Sequence, residues 1–431
     1  MNKKILIAGL LISVMLFAPI NSAYSTIDKS VKKNEDTLVY TPMLDDTWVK
    51  TYDYYDGYYT EIGNSVCQTS DGGYIVAAES RCSQGYLNDW IFKTDSKGNI
   101  TWEKTYTDDD HEYYAYSVLE TDDNKYLIVG ARSNNVWLLK LDNDGTQIWS
   151  KTYDIMSYGA EVIQTSDGGY AVIGFHGNIC LLKTYSNGSI NWFKSYGGDR
   201  GFSLKETLDG GYIMVGLDNG NPSTTCLLKT DENGTLLWNK KYNGNGETFC
   251  ESVDITMDGG YVIIGKTRKI PINFLDYLKL DIWLLKTDSN GEKLWEKTFG
   301  KPYYCDEGFS VCATDDGGCV ITGYVGGIVY IFFKIEAKFI KIDNLGNVEW
   351  SKTLGSTANF VQQTTDGGYI LTGSYRDDVF LIKTDSNGNA PPLSKTKDIG
   401  IRNKVSYNSF LLSILEQFSI LNLFLQRLAF L

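Results

Sequence analysis

The sequence predicts an all-β protein: a seven-bladed β-propeller of four-stranded antiparallel blades, closed by its N-terminal strand and followed by a C-terminal helix. Three observations carry the prediction. The 431-residue chain repeats one segment seven times. Trp137–Trp149 recurs as Trp283–Trp295 and Trp90–Trp102, and more weakly as Ile179–Trp192, Cys226–Trp238 and Phe339–Trp350; Phe380–Gly388 stops before its tryptophan. A second signature, Thr-x-Asp-Gly-Gly-Tyr, alternates with the first at Asp71, Asp167, Asp209, Asp258 and Asp366, as Asp316-Gly317-Gly318-Cys319, and degraded as Asp123-Asn124-Lys125-Tyr126. Successive tryptophans from Trp102 to Trp350 stand 43 to 57 residues apart, the length of a four-stranded blade.

Each repeat holds four extended runs. In the second repeat they are Tyr116–Thr121, Lys125–Gly130, Val136–Lys140 and Gln147–Tyr153, rich in β-branched and aromatic residues and bounded by Gly, Asn and Asp. Asp-Gly-Gly joins the first two runs as a tight hairpin, because Gly accepts the positive φ such a turn requires. Asp-x-Asn-Gly joins the last two, as a type I turn followed by a left-handed Gly at a bulge. The repeated Trp follows the turn Gly by four residues in most copies, which puts a large ring at one place on strand four, filling the gap between blades. Seven buried tryptophans would each contribute roughly 4–6 kcal/mol before entropy. Small residues such as Ser65, Ser117, Ser203, Ser252 and Ser310 suit a crowded inner strand near the axis.

The seventh repeat lacks a fourth strand after Gly388. The spare strand lies at the other end, where Thr47–Tyr52 matches Thr101–Tyr106. The N-terminal strand is therefore expected to complete the last blade, which removes an exposed sheet edge.

The ends differ from the repeats. Residues 1–25 read as a signal peptide: Lys3 and Lys4, an apolar run from Ile5 to Ile20, and a small-residue cleavage site at Ala23-Tyr24-Ser25. A membrane anchor is the competing reading. Residues 26–45 are a polar lead-in, 46–388 the propeller, 389–408 a polar linker, and 409–431 an apolar, amphipathic helix. That last segment is expected to dock on the ring, lie at a membrane surface or act as a sorting tail. The location expected is extracellular, secreted or cell-surface associated. The net charge of −13 argues against nucleic acid as a partner.

Catalytic and metal-binding patterns are missing from the sequence. The two histidines, His111 and His176, fall in different repeats, and there is no nucleophile elbow, phosphate loop or dinucleotide fingerprint. Asp142-Asn143-Asp144-Gly145 suggests calcium, but a calcium loop needs more ligands and a hairpin explains the residues. No catalytic residue, metal or cofactor is expected. Of the eight cysteines, most sit at core positions; Cys82 and Cys305 fall in loops and could pair or react. Asn99, Asn187 and Asn233 head glycosylation sequons on turns that also want Asn.

The motifs Asp-Gly-Gly-Tyr-Ile-Val-x-Gly and Trp-Leu-Leu-Lys-Thr-Asp-x-Asn-Gly-x-x-x-Trp resemble a family of secreted prokaryotic β-propeller repeat proteins over about residues 45–388. More distantly, Asp288-x-x-Gly291-x-x-x-Trp295 is similar to the tryptophan-docking motif of quinoprotein dehydrogenases, with one residue fewer between Asp and Gly. Those enzymes use a quinone, calcium and a vicinal cysteine pair. No two cysteines are adjacent here. The resemblance implies a shared scaffold rather than shared catalysis.

Function is expected on the face of variable loops, those joining strand two to three and strand four to the next blade. Tyr54, Tyr55, Tyr58 and Tyr59 fall there beside Asp53 and Asp56, followed by Asp108, Asp109, Asp110, Tyr113 and Tyr114, then Tyr303, Tyr304 and Asp306. Tyrosines with acidic neighbours form an adaptable surface for protein or glycan, unless they pack between blades. Two apolar insertions, Ile270–Leu275 and Ile328–Phe333 with Phe332 and Phe333, should be neighbours that form an interaction patch or a self-burying strand pair. Glu161, Lys205 and Asp254 break the inner-strand pattern on consecutive blades and are channel candidates. The reading is a non-catalytic binding module with an unidentified protein or glycan partner. The alternatives are an enzyme acting on carbohydrate at the channel mouth, with two carboxylates about 5–9 Å apart, or a structural cell-surface component.

Overall fold

The computed structural model describes residues 46–54, 60–81, 87–106, 112–218, 220, 223–244, 246–269, 279–300, 305–329, 332–355 and 357–393. All regular structure among them is β-strand, in seven four-stranded antiparallel sheets. Blade one is Thr60–Gln68, Tyr74–Arg81, Leu87–Thr94 and Ile100–Lys104, in that order from the axis outward. Blade seven takes three strands from the C-terminal side, Thr357–Gln363, Tyr369–Tyr375 and Asp378–Thr384. Its outer strand is Trp48–Tyr52, with Trp48 opposite Lys383 and Tyr52 opposite Val379. The N-terminal strand closes the ring. The expected C-terminal helix lies outside the described residues.

Hydrophobic burial is divided among seven clusters, each at the seam between two neighbouring blades. At the closing seam Tyr52, Ile370, Val379 and Leu381 of blade seven meet Val66, Tyr74, Val76, Trp90 and Phe92 of blade one. The second and third strands are almost wholly buried, as their continuous apolar runs require, whereas the outer strand alternates exposed and half-buried.

The Asp-Gly-Gly hairpin has an inner logic. Asp71 accepts hydrogen bonds from Thr69 Oγ1, from Gly73 N and from Lys93 Nζ, the lysine of the third strand. The same lysine–aspartate pair recurs in all seven blades, as Lys140–Asp123, Lys183–Asp167, Lys229–Asp209, Lys286–Asp258, Lys341–Asp316 and Lys383–Asp366. The second glycine is required by close approach: a Cβ on Gly73 would stand 2.1 Å from the Thr94 carbonyl oxygen and 2.4 Å from Lys93 Nζ. In blade two Asn124 takes the left-handed conformation at φ 54° and Lys125 replaces that glycine; there Lys140 donates to the Tyr170 hydroxyl.

The repeated tryptophans are half-buried rather than fully buried, which lowers the stabilisation expected of each. Every one lies on the turn glycine of the next blade. Trp48 packs on Gly98, Trp102 on Gly145, Trp149 on Gly188, Trp192 on Gly234, Trp238 on Gly291, Trp295 on Gly346 and Trp350 on Gly388. Trp48, Trp102 and Trp295 also donate Nε1–H to carbonyls of those turns, at 2.8 to 3.0 Å. Four residues on, the hydroxyls of Tyr52, Tyr106, Tyr153, Tyr196 and Tyr242 donate to the glycine carbonyl of the same turn. The tryptophans that are fully buried, Trp90, Trp137 and Trp283, stand on the third strand.

The strand three-to-four turns have the expected geometry. Gly98 has φ 75°, its N–H donates to the Asp95 carbonyl, and the register shifts by one residue after Lys93. Asp95 Oδ1 accepts the amides of Lys97 and Asn99, so the oxygens that suggested calcium in these turns serve the backbone.

Candidate functional site

Each inner strand runs from the variable-loop face to the hairpin face and carries one β-bulge. The register shifts fall between Gly63 and Ser65, Ala115 and Ser117, Gly159 and Glu161, Gly201 and Ser203, Cys250 and Ser252, Gly308 and Ser310, and Ala358 and Phe360. A bulge re-aims the extra side chain. The extra residues are Asn64, Tyr116, Ala160, Phe202, Glu251, Phe309 and Asn359, and all but Asn64 line a cavity of about 100 Å³ on the axis. The residue after each bulge completes the lining, as Ser65, Ser117, Glu161, Ser203, Ser252, Ser310 and Phe360. The serines also tie blades together. Ser65 Oγ accepts the Val118 amide, Ser203 the Val253 amide, Ser252 the Val311 amide and Ser310 the Val361 amide.

Glu161 stands in the serine position of blade three and extends that role. Its Oε2 accepts Leu204 N at 2.9 Å and Ser203 Oγ at 2.7 Å, and its Oε1 pairs with Lys205 Nζ at 2.7 Å. Asp254 Oδ2 accepts the Ala313 amide at 2.8 Å. Burial alone would lower the Lys205 ammonium, but Glu161 and Asp254 together hold it above its ordinary value. Burial pushes the Asp254 carboxyl up, against the pull of Lys205. The structure thus brings the three channel candidates into one network, toward the hairpin end of the channel.

A second network lies nearer the variable-loop end and was not foreseen. Lys266, on the second strand of blade five, pairs with Glu307 of blade six at 2.7 Å and stands 3.8 Å from Glu251. Burial drives the Glu251 carboxyl up to about 7, with Lys266 opposing and Glu307 adding to the rise. Cys305 Sγ lies 3.8 Å from Glu307 Oε1, and burial pushes its thiol up to about 12, so it stays protonated and unreactive. Cys305 and the six other described cysteines are free, with Cys180, Cys226, Cys250 and Cys319 buried; Cys82 lies outside the described residues.

An aromatic crescent leads outward from the cavity. Tyr114 stacks on Tyr116 with centroids 5.9 Å apart, Tyr116 meets Tyr158 edge-on at 6.1 Å, and Tyr158 lies against Phe175 at 5.8 Å. Arg200 sits over the Phe175 ring and pairs with Asp199, and the Tyr114 hydroxyl donates to Glu112. Across the axis Phe309 meets Tyr324 at 5.5 Å.

The other loop candidates divide. Tyr54 packs against Trp90 at 5.3 Å, and its amide donates to Glu61. Tyr113 is a core residue, edge-on to Trp137 at the seam of blades one and two. Asp306 is fully buried, and its Oδ1 accepts the Gly326 amide. For these three the packing reading holds. Phe332 and Phe333 begin a strand, Phe332–Ile342, whose register puts Val329 opposite Phe332; the blade-six insertion therefore lengthens a hairpin, the self-pairing alternative. Tyr55, Tyr58, Tyr59, Tyr303, Tyr304, His111, Asp108–Asp110 and the blade-five insertion at 270–275 lie outside the described residues. His176 is exposed. Of the sequon residues, Asn99 donates to Asp95, and Asn187 Oδ1 accepts from Ser189 N and Oγ. Among the described residues no group of three or more His, Cys, Asp and Glu could hold a metal.

Sequence reasoning missed Tyr116, Phe202, Glu251, Phe309, Lys266 and Glu307. A signal for four of them is present: the residue just before the serine position is the variable column of the inner strand, reading Asn, Tyr, Ala, Phe, Glu, Phe and Asn through the seven repeats.

No family model matches the chain, and no curated protein matches it. Among solved structures it is similar to Chaetomium thermophilum Raptor, at 11% identity and a TM-score of 0.50, over 76% of this chain and 28% of that one. It is similar to the Neurospora crassa Pan2 WD40 domain at 13% identity and a TM-score of 0.49, over 82% and 99% of the two chains. Streptogramin B lyase stands at 10% identity and 0.49, over 79% and 98%. The likeness is one of fold alone. The chain is a β-propeller.

Proposed function

We propose that this protein is a secreted or surface-associated, non-catalytic binding module that takes its ligand at the variable-loop face and the channel mouth. The observation that carries the reading is the crescent Tyr114–Tyr116–Tyr158–Phe175, which continues into the cavity on the axis. Its three tyrosines are anchored on inner strands and Phe175 on the second strand of blade three, beside the acidic Glu112 and Asp199. Such a surface offers large contact area at low entropic cost. The polar groups of the hairpin face, by contrast, are spent within the fold on Lys–Asp pairs and turn amides. The test is an array of glycans and secreted proteins probed with the full chain and with a Tyr114→Ser/Tyr158→Ser variant. Binding should fall at least tenfold in the variant at unchanged melting temperature. Hits that the variant retains would reject the crescent as the contact surface.

One observation favours the enzymatic alternative. Glu251, driven by burial up to about 7, lines the same cavity as a second carboxylate, Glu161, which is ion-paired with Lys205. Release of reducing sugar from a polysaccharide panel, abolished by Glu251→Gln, would select that reading.

A further inference from the structure

The axial cavity carries acidic groups in excess of the bases beside them. Glu161, Asp254, Glu251 and Glu307 are balanced by only Lys205 and Lys266, so the two networks carry two more acids than bases. Glu251 lines the cavity and is only loosely paired, with Lys266 Nζ 3.8 Å away while the same ammonium stands 2.7 Å from Glu307. The rings of Tyr116, Phe202, Phe309 and Phe360 share the wall with five serines, Ala160 and Asn359. Aromatic faces attract cations, and the attraction grows where water is excluded. An anion entering the cavity would meet lysines already committed to carboxylates.

The carboxylates also differ in depth. Counted from the residue after the bulge, Glu307 stands nearest the variable-loop face, then Glu251, then Glu161, then Asp254. Strands rise about 3.3 Å per residue, so the negative charge is spread along the axis rather than gathered at one point. A linear stem with spaced ammonium groups can therefore meet carboxylates at two depths, whereas a bulky single cation such as a quaternary ammonium meets one.

We propose that the axial cavity binds a linear aliphatic polyamine, with ammonium groups at Glu251 and Glu161 and the methylene stem against Tyr116, Phe202, Phe309 and Phe360. The inference rests on the reading of this end of the ring as the ligand-binding end, and it names the chemistry the mouth accepts.

The test is calorimetric titration of the full chain with spermidine and putrescine at physiological salt, with choline and glutarate as bulky-cation and anion controls. Saturable one-to-one binding of spermidine is expected, with choline at least tenfold weaker and glutarate silent. Glu251→Gln should weaken spermidine at least tenfold, and Ala160→Phe, which puts a ring into the cavity from its lining, should abolish it. Ala160→Phe also serves if Glu251→Gln unfolds. Absence of saturable spermidine binding would overturn the proposal. So would binding at several sites per chain that both variants retain, which is adsorption to an acidic surface. If spermidine fails while the Tyr114→Ser/Tyr158→Ser variant loses its array ligand, the cavity proposal falls and the surface reading stands. The reverse pattern removes the surface reading alone.

Discussion

Asp89 is a carboxylate placed where burial works against it. It is fully buried on the third strand of blade one; one oxygen accepts the Tyr106 amide at 3.0 Å, and Oδ2 has no partner. Burial pushes its carboxyl up to about 7, opposed by those backbone bonds. The unfolded chain should titrate near 3.9. Between these values the folded state holds the extra proton, so this group's contribution to stability falls as pH rises from about 4 to about 7 and is level above that. Asp89→Asn keeps an acceptor for Tyr106 and removes the charge. Any cost of its buried amide is the same at every pH. The melting temperature of the variant relative to the parent should therefore rise by several degrees between pH 4 and pH 8, from a term of about 2–4 kcal/mol. A flat difference across that range would show that Asp89 is solvated.

The repeated aspartates behave in the opposite sense. Burial is the largest single influence on Asp167, Asp209, Asp258 and Asp316 and raises them, but hydrogen bonds from the hairpin lysine, Thr hydroxyl and Gly amide together outweigh it and hold them at about 2. Their contribution is present above pH 4 and is lost as pH falls toward 2. The sequence displayed the Asp, the Gly pair and the Lys of every repeat, yet suggested only the turn. The Lys–Asp pair spans 16 to 28 residues across two strands, and only their registration brings the groups together.

At the scale of elements, the four strands per repeat, both hairpin types and the closing strand were legible in the sequence. Each rests on local chemistry: alternation, turn glycine, and a missing strand matched by a spare one. The inner-strand bulge was not legible. An extra residue such as Glu251 does not stand out within a single run like Thr248–Ile255, where polar and apolar residues already alternate imperfectly; it shows only as a variable column when the seven repeats are compared. That single omission hid the cavity, since the bulge decides which side chains face the axis. The tryptophans were legible as blade contacts but not as half-exposed lids on glycine, because ring orientation is set by the neighbouring turn.

The closing strand gives a prediction at this scale. Trp48–Tyr52 contributes five residue pairs to blade seven, the Trp48 lid over Gly98, and the Tyr52 hydroxyl bond to the Gly98 carbonyl. Without it Phe380 and Leu381 lie at an open sheet edge, and the closing seam loses Tyr52. A chain beginning at Asp53 should bind a hydrophobic dye, elute as aggregates and unfold over a broad range. Adding a synthetic peptide of residues 45–54 should restore a sharp melt. A monomeric chain that melts sharply without the peptide would show that the ring is held by its seams alone.

For the whole molecule, seven equivalent seams make stability a ring property. Each blade buries its faces only against neighbours, so an open arc exposes two seams at once. The described chain extends slightly beyond the last repeat. Asn389 donates to Asp385 and accepts from Lys352 of blade six, and Ala390 and Leu393 pack against the core cluster at the seam of blades six and seven. The ring therefore uses residues as far as Leu393, five beyond the Gly388 boundary drawn from the repeats. A chain ended at Leu393 should melt at the temperature of the full chain, because all seven blades and the bracing segment are present. A chain ended at Asn389 loses the half-buried Leu393, worth about 1–2 kcal/mol, and should melt about 1–3 °C lower. If the chain ended at Leu393 instead melts far below the full chain, residues 394–431 are part of the fold, and their reading as a separable surface or sorting segment fails.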